Sequence, residues 1–407
     1  MASSRKVLGL FGLALSHVIG CGGAQSTQPP AAATVEPAPG AAPAAAAPAA
    51  AAAAPAGAKP AAIAKAAYGK VDATEVQLYT LTNANGLVLK VTNYGTIITE
   101  FLVPDKSGKL ADIVLGFENV DGYVKGSPYF GATVGRNANR IKNAQFELEG
   151  KKYKLAANNG KHHLHGGAKG WDKVIWTATP SETPDGPSIK FTYVSKDGEE
   201  GYPGTVNAST TYTLTNKNEL KVVMEATTDK PTIVNMAHHT YWNLGGYNSG
   251  PITGQELTLF ADKYTPAVDL VPDGSSKPVK GTPFDFTTAK PIGKDLKAAG
   301  GDPVGFDHNW IVNGEPNKMR PVAKLKDPKS GRVMSIEADQ PGVQFYTGNY
   351  LDGKTTGKGT AYAQYTGLCL ETQKHPNSIN VPAWKNDVIL KPGATYKHTM
   401  IHRFTTE

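Results

Sequence analysis

The chain has 407 residues, a formal charge of +7, 44 glycines, 29 prolines and only two cysteines. Arg5, Lys6, Lys59 and Lys65 stand against Glu36 alone before Tyr68, so the remainder carries about +4. With no basic stripe and no nucleic-acid motif, a nucleic-acid partner is excluded. Only Cys369 follows Cys21, which excludes a disulfide within the folded part, where a lone thiol packs as a small apolar group.

Residues 1–20 have the form of an export signal: Arg5 and Lys6 provide charge, and Val7 to Ile19 an apolar run too short to span a bilayer comfortably. The tetrapeptide VIGC at 18–21 resembles a bacterial lipobox, in which the cysteine is lipidated and becomes the mature N-terminus. On that resemblance Cys21 is a lipid anchor and the protein an exported, membrane-held lipoprotein of the periplasm or cell surface. Ordinary signal cleavage is the alternative. Residues 21–67 are mostly Ala and Pro; recurring proline removes backbone donors and opposes helix, so an extended, disordered tether is expected.

The third segment, 68–407, is long enough for one large core. Its pattern is alternation at period two. Val76–Leu81 and Leu87–Val91 flank Asn83-Ala84-Asn85-Gly86, a hairpin signal. Phe146–Leu155 repeats the pattern around Glu149-Gly150, and Ile189–Val194, Thr210–Leu214, Leu220–Ala226, Val343–Tyr346 and Leu368–Leu370 continue it. No helical periodicity exceeds two turns. The reading is all-β, a large antiparallel sandwich forming one domain.

Into this apolar background intrude polar clusters: GATVGRNANRI at 131–141, LHGG around His165, NMAHHTYWNL around His239, GFDHNW around Asp307, and GLCLETQKHP, where Glu371 closes a short apolar run. Strand interiors disfavour ionisable groups unless they are paired or used, so several such intrusions predict a shared polar cleft. GATVGRNANR has glycines but no following helix pattern, which argues against a dinucleotide site. His162, His163 and His165 have spacings that suit a metal, yet no cysteine or carboxylate cluster accompanies them.

These five motifs, in this order from about residue 75 onward, resemble the aldose 1-epimerase (galactose mutarotase) family. The resemblance implies a galactose mutarotase-like β-supersandwich that interconverts the α and β anomers of free hexoses such as glucose and galactose. It implies Glu371 as general base and His239, the histidine directly before Thr-Tyr, as general acid. Asn139, Arg140, His165 and Asp307 would bind sugar hydroxyls, with Gln344 assisting. Because neighbours on a strand face opposite ways, only one of His238 and His239 can enter the cleft, and His238 is expected to be structural. Arg136 is likewise structural, and Trp171, Trp242 and Trp310 can stack on a pyranose or simply pack.

Such chemistry needs a base at the C1 hydroxyl and an acid at the ring oxygen, and neither metal nor other cofactor. The expected partners are a free aldohexose and, through Cys21, a membrane; the chain is expected to act as a monomer. Two alternatives stay in view: a carbohydrate-binding protein on the same fold without catalysis, and a hexose-6-phosphate 1-epimerase, for which Arg140 is the one clear cation near the motifs.

Overall fold

The computed structural model describes residues 62–407; the expected leader, Cys21 and the tether up to residue 61 lie outside the described residues. Strands dominate, and the two α-helices among the described residues, Val120–Gly126 and Lys385–Val388, are two turns or shorter. The first is capped by Asn119, whose side chain accepts from the Gly122 amide.

Among the described residues the largest sheet has nine antiparallel strands, in the order Thr177–Thr183, Gly186–Ser195, Val206–Leu214, Glu219–Thr228, Tyr396–Thr406, Arg332–Ala338, Arg320–Lys326, Glu256–Leu259 and Lys290–Pro291. In Glu219–Thr228 the alternation works as the sequence suggests: Leu220, Val222, Met224 and Ala226 are buried, and the residues between them are half-buried. Each large apolar side chain buried this way contributes roughly 1.5–3 kcal/mol. The last strand of the chain fills the gap between Glu219–Thr228 and Arg332–Ala338.

An N-terminal five-stranded meander runs Ala62–Val71, Thr74–Thr82, Val88–Thr92, Ile98–Pro104 and Leu110–Asp112. Its Asn83 hairpin closes with the Asn83 side chain accepting from the Asn85 and Leu87 amides, while Gly86 supplies a φ of 85°. The first strand corrects one expectation: residues 62–67, expected in the tether, pair with residues 77–82. No proline follows Pro60 there, so every amide is free to join the ladder as an edge strand. Its side chains are mostly exposed, which left no alternation to read.

A third sheet carries the site: Lys277–Pro278, Lys263–Thr265, Asp307–Ile311, Gly342–Tyr346 and Cys369–Gln373. Trp310, Val343, Phe345 and Leu370 belong to the main core, which also draws on the other two sheets through Phe101, Val222 and Phe404. Trp171 and Trp242 lie in that core as well, so none of the three tryptophans offered for stacking reaches the cleft.

Candidate active site

Because side chains alternate, burying Trp310, Phe345 and Leu370 in the core turns Asp307, Asn309, Gln344, Tyr346, Cys369, Glu371 and Gln373 to the other face of the third sheet. Register then sets neighbours: Asp307 lies opposite Tyr346, and Gln344 lies between Asn309 and Glu371. Glu371 is the middle residue of its strand rather than the last, and all five residues of that strand are buried. It does not pair with Lys374, whose ammonium goes instead to Asn317 at 3.2 Å.

Two short ladders supply the rest. Ala237–His239 pairs with Ala132–Val134, and Arg140–Ile141 pairs with His163–Leu164. Together with the third sheet they enclose a cavity of about 260 Å³, lined among others by Asn139, Arg140, His165, His239, Asp307 and Glu371. His239 Nε2 stands 3.7 Å from Glu371 Oε1. His238 turns the other way, its ring 5.6 Å from that of Tyr212 and 6.3 Å from that of His402.

Asn139 and His165 hold each other. The Asn139 amide donates to His165 Nδ1 at 3.1 Å, and the His165 amide donates to the Asn139 carbonyl at 3.2 Å. Both backbones are left-handed, with φ of 60° and 51°. Gly166, at φ 87°, follows His165, and a Cβ on it would run into the Gly135 carbonyl, so the LHGG turn requires glycine there. With Nδ1 accepting a backbone N–H, the proton of the neutral His165 ring sits on Nε2.

Arg140 donates from Nε to Asn159 at 3.0 Å and approaches Asp307 at 3.7 Å. Gln344 assists from behind Asp307. It does not line the cavity; its amide donates to Asp307 at 2.7 Å and so acts on the carboxylate behind the cavity wall. Gln344 in turn accepts from Gln373. Arg136 holds Ser195 and the Pro203 and Gly204 carbonyls, away from the cavity.

Burial drives the electrostatics. It holds the Glu371 carboxyl well above the usual carboxylate range, Asp307 pushes the same way, and Arg140 opposes. Glu371 Oε2 is buried without a hydrogen-bond partner among the described residues. Burial lowers His239 from 6.5 to about 4 and takes His165 well below its usual value. A carboxyl pushed up beside an imidazole pushed down keeps the pair's one proton on Glu371 and the His239 ring neutral at rest, so the pair can pass that proton between its members without either being left as an isolated buried charge.

His162, His163 and His165 do not converge on a metal. His163 has both nitrogens engaged, with the Ala156 carbonyl at 2.8 Å and the Tyr202 hydroxyl at 2.6 Å, and His162 Nδ1 accepts from the Asn143 amide. His165, His239 and Glu371 do bring ligand atoms within 4.8 Å of one another. Yet His165 presents an N–H there rather than a lone pair, so this donor set suits a hydroxyl-bearing ligand better than a cation.

Several lining residues escaped the sequence. Tyr241 lies two residues after His239 and Tyr346 two after Gln344, so period two could have found both. Tyr129, 4.6 Å from the His165 ring, and Asn159 gave no signal. Leu270 reaches the cavity from a tight turn in which Asp269 and Leu270 have φ of 51° and 59°; without glycine the turn was invisible.

A β-sandwich that places a carboxyl and an imidazole beside hydroxyl-binding groups defines a carbohydrate-acting acid/base protein. Residues 77–403 match the family model described as aldose 1-epimerase. The galactose mutarotase of Bos taurus is 44% identical over 321 residues, covering 78% of this chain and 91% of that protein. The aldose 1-epimerase of Haemophilus influenzae is 40% identical over 329 residues, covering 80% and 94%. The crystal structure of galactose 1-epimerase from Lactobacillus acidophilus superposes with a TM-score of 0.75 at 30% identity, covering 85% of this chain and 99% of that one. The chain belongs to the aldose 1-epimerase family.

Proposed function

We propose that the protein interconverts the α and β anomers of free aldohexoses, with Glu371 as general base and His239 as general acid. The observation that carries this reading is the 3.7 Å approach of His239 Nε2 to Glu371 Oε1 in a cavity edged by hydrogen-bonding groups. In the reactive form the shared proton is on His239. The Glu371 carboxylate takes the proton of the C1 hydroxyl, the C1–O5 bond breaks as C1–O1 becomes a carbonyl, and His239 gives its proton to O5. Rotation about C1–C2 presents the other carbonyl face. Reclosure returns the O5 proton to His239 and the Glu371 proton to O1, and no atom is gained or lost.

Asp307, a planar acceptor fixed by Gln344, grips adjacent hydroxyls, while Arg140, Asn139 and the His165 Nε2–H donate. The test is polarimetry of freshly dissolved α-D-glucose and α-D-galactose with purified protein. Catalysed decay to the equilibrium rotation is expected, and a rate equal to the buffer blank would leave only sugar binding.

We propose in addition that the protein is exported and anchored to a membrane by a lipid on Cys21. The charged start, the short apolar run and VIGC support this. Mass spectrometry of the mature protein should find a lipidated Cys21 at the N-terminus; an unmodified N-terminus elsewhere would contradict anchoring.

A further inference from the structure

A relay of buried side-chain amides runs from Asp307 across the third sheet to a histidine outside the cavity, His375. Gln344 Nε2 donates to Asp307 Oδ1 at 2.7 Å, and the Gln344 carbonyl accepts from Gln373 Nε2 at 3.3 Å. The second hydrogen of that Nε2 goes to Asn309 Oδ1 at 3.2 Å. Asn309 Nδ2 then donates to His375 Nδ1 at 3.1 Å and to Thr265 Oγ1 at 3.4 Å. Asn309, Gln344, Gln373 and His375 are all buried, and the His375 ring lies 4.6 Å from that of Trp384. Gly342 leaves room for the last link: a Cβ there would stand 2.5 Å from Asn309 Oδ1 and 2.9 Å from His375 Nδ1.

Asp307 dictates the direction of every link. A carboxylate only accepts, so Gln344 must turn its N–H to Asp307 and its oxygen away, and Gln373 must donate to that oxygen. Asn309, its own oxygen taken by the other Gln373 N–H, has only its NH₂ left for the histidine. The His375 ring therefore ends the relay as an acceptor, with Nδ1 bare and the proton on Nε2. Burial, with the Lys374 ammonium beside it, lowers His375 to about 4 and keeps the ring neutral. We propose that His375 is a positioning residue: by accepting from Asn309 it closes the relay that holds the Gln344 N–H on Asp307, and so sets the orientation of the carboxylate that grips the sugar. This rests on the reading of Asp307 as a sugar ligand. An Nδ1–H ring would turn Asn309 round, then Gln373 and Gln344 with it, and point a carbonyl at Asp307.

His375 lies outside the cavity, so breaking its link should loosen the grip on the sugar more than it slows the chemistry. The test uses the full chain as wild type, His375→Leu, His375→Asn and Asp307→Asn. Both His375 variants lose the ring that faces Trp384, but asparagine offers an acceptor oxygen where Nδ1 stood and leucine does not. In polarimetry with α-D-galactose, His375→Leu should raise KM roughly 3- to 10-fold with a smaller effect on kcat. His375→Asn should recover most of that loss. Long-range ¹H–¹⁵N spectra of the wild type near neutral pH should show His375, assigned through its backbone resonances, as the neutral Nε2–H tautomer.

A wild-type His375 that carries a proton on Nδ1 would overturn the proposal without any variant having to fold. So would His375→Leu with the wild-type KM, or His375→Asn as impaired as His375→Leu. If Asp307→Asn kept the wild-type KM, the reading of Asp307 itself would fail whatever His375 did. If Asp307→Asn raises KM and His375→Leu does not, only the role of His375 is lost.

Discussion

Asp307 and Arg140 bind the same sugar but act on Glu371 in opposite directions, so replacing them should separate affinity from protonation. Asp307 raises the Glu371 pKa and Arg140 lowers it. A hydrogen bond to a charged group is worth roughly 1.5–3 kcal/mol, so Asp307→Asn and Arg140→Gln should each raise KM about 10- to 150-fold. The profile of kcat/KM against pH reports the free enzyme, whose alkaline limb marks loss of the proton shared by Glu371 and His239. Asp307→Asn removes a negative charge from beside Glu371, so that limb should move to lower pH. Arg140→Gln removes a positive charge, so it should move to higher pH. Polarimetry with α-D-galactose from about pH 4 to about pH 10 spans the ordinary carboxyl and imidazole ranges and measures both effects. Limbs that move the same way, or unchanged KM in both variants, would refute the placement of these groups around Glu371.

Stability should fall on mild acidification. His165, His238, His239, His375, His398 and His402 are buried with folded pKa values below 6.5, those of His239, His375, His398 and His402 at about 4. Below about pH 6.5 the unfolded chain binds protons that the folded one refuses, so each such histidine removes roughly 1.4 kcal/mol per pH unit until its folded pKa is approached. Asp112, Asp172 and Glu371, with raised values, act in the opposite sense but are fewer. Calorimetry should find a lower Tm at about pH 5 than at about pH 7; an equal or higher one contradicts the burial of these neutral rings. His238→Asn should cost less than about 10-fold in kcat, since its ring faces His402 and Tyr212 rather than the cavity; a larger loss at constant fold would place His238 in the reaction. Gly166→Ala should fail to fold or lose sugar binding, because its Cβ meets the Gly135 carbonyl beneath His165; a soluble variant with wild-type KM would show that the LHGG turn is not so constrained.

Where burial on one face left a period-two record, as in Glu219–Thr228, the strand was legible from sequence. That only one of His238 and His239 enters the cavity followed from the same rule, and that it is His239 followed from the family resemblance. Legibility failed where backbone pairing alone makes the element, as in residues 62–67. It failed again where distant segments meet: no local pattern says that Tyr396–Thr406 lies between Glu219–Thr228 and Arg332–Ala338. In the cavity, the motifs announced charged and amide side chains but not their roles. Gln344 was expected only to assist, and the structure adds the partner it acts through, Asp307, because a sequence gives the face of a residue and not the reach of its side chain.

The central claim is that one proton moves between a sugar and the Glu371–His239 pair. Its most direct measurement is kcat by polarimetry for His239→Asn and Glu371→Gln, with circular dichroism to verify the fold. Each variant should fold and lose roughly 100- to 10,000-fold in kcat, the usual worth of one general catalyst. A folded variant of either kind that mutarotates galactose at the wild-type rate would contradict the account.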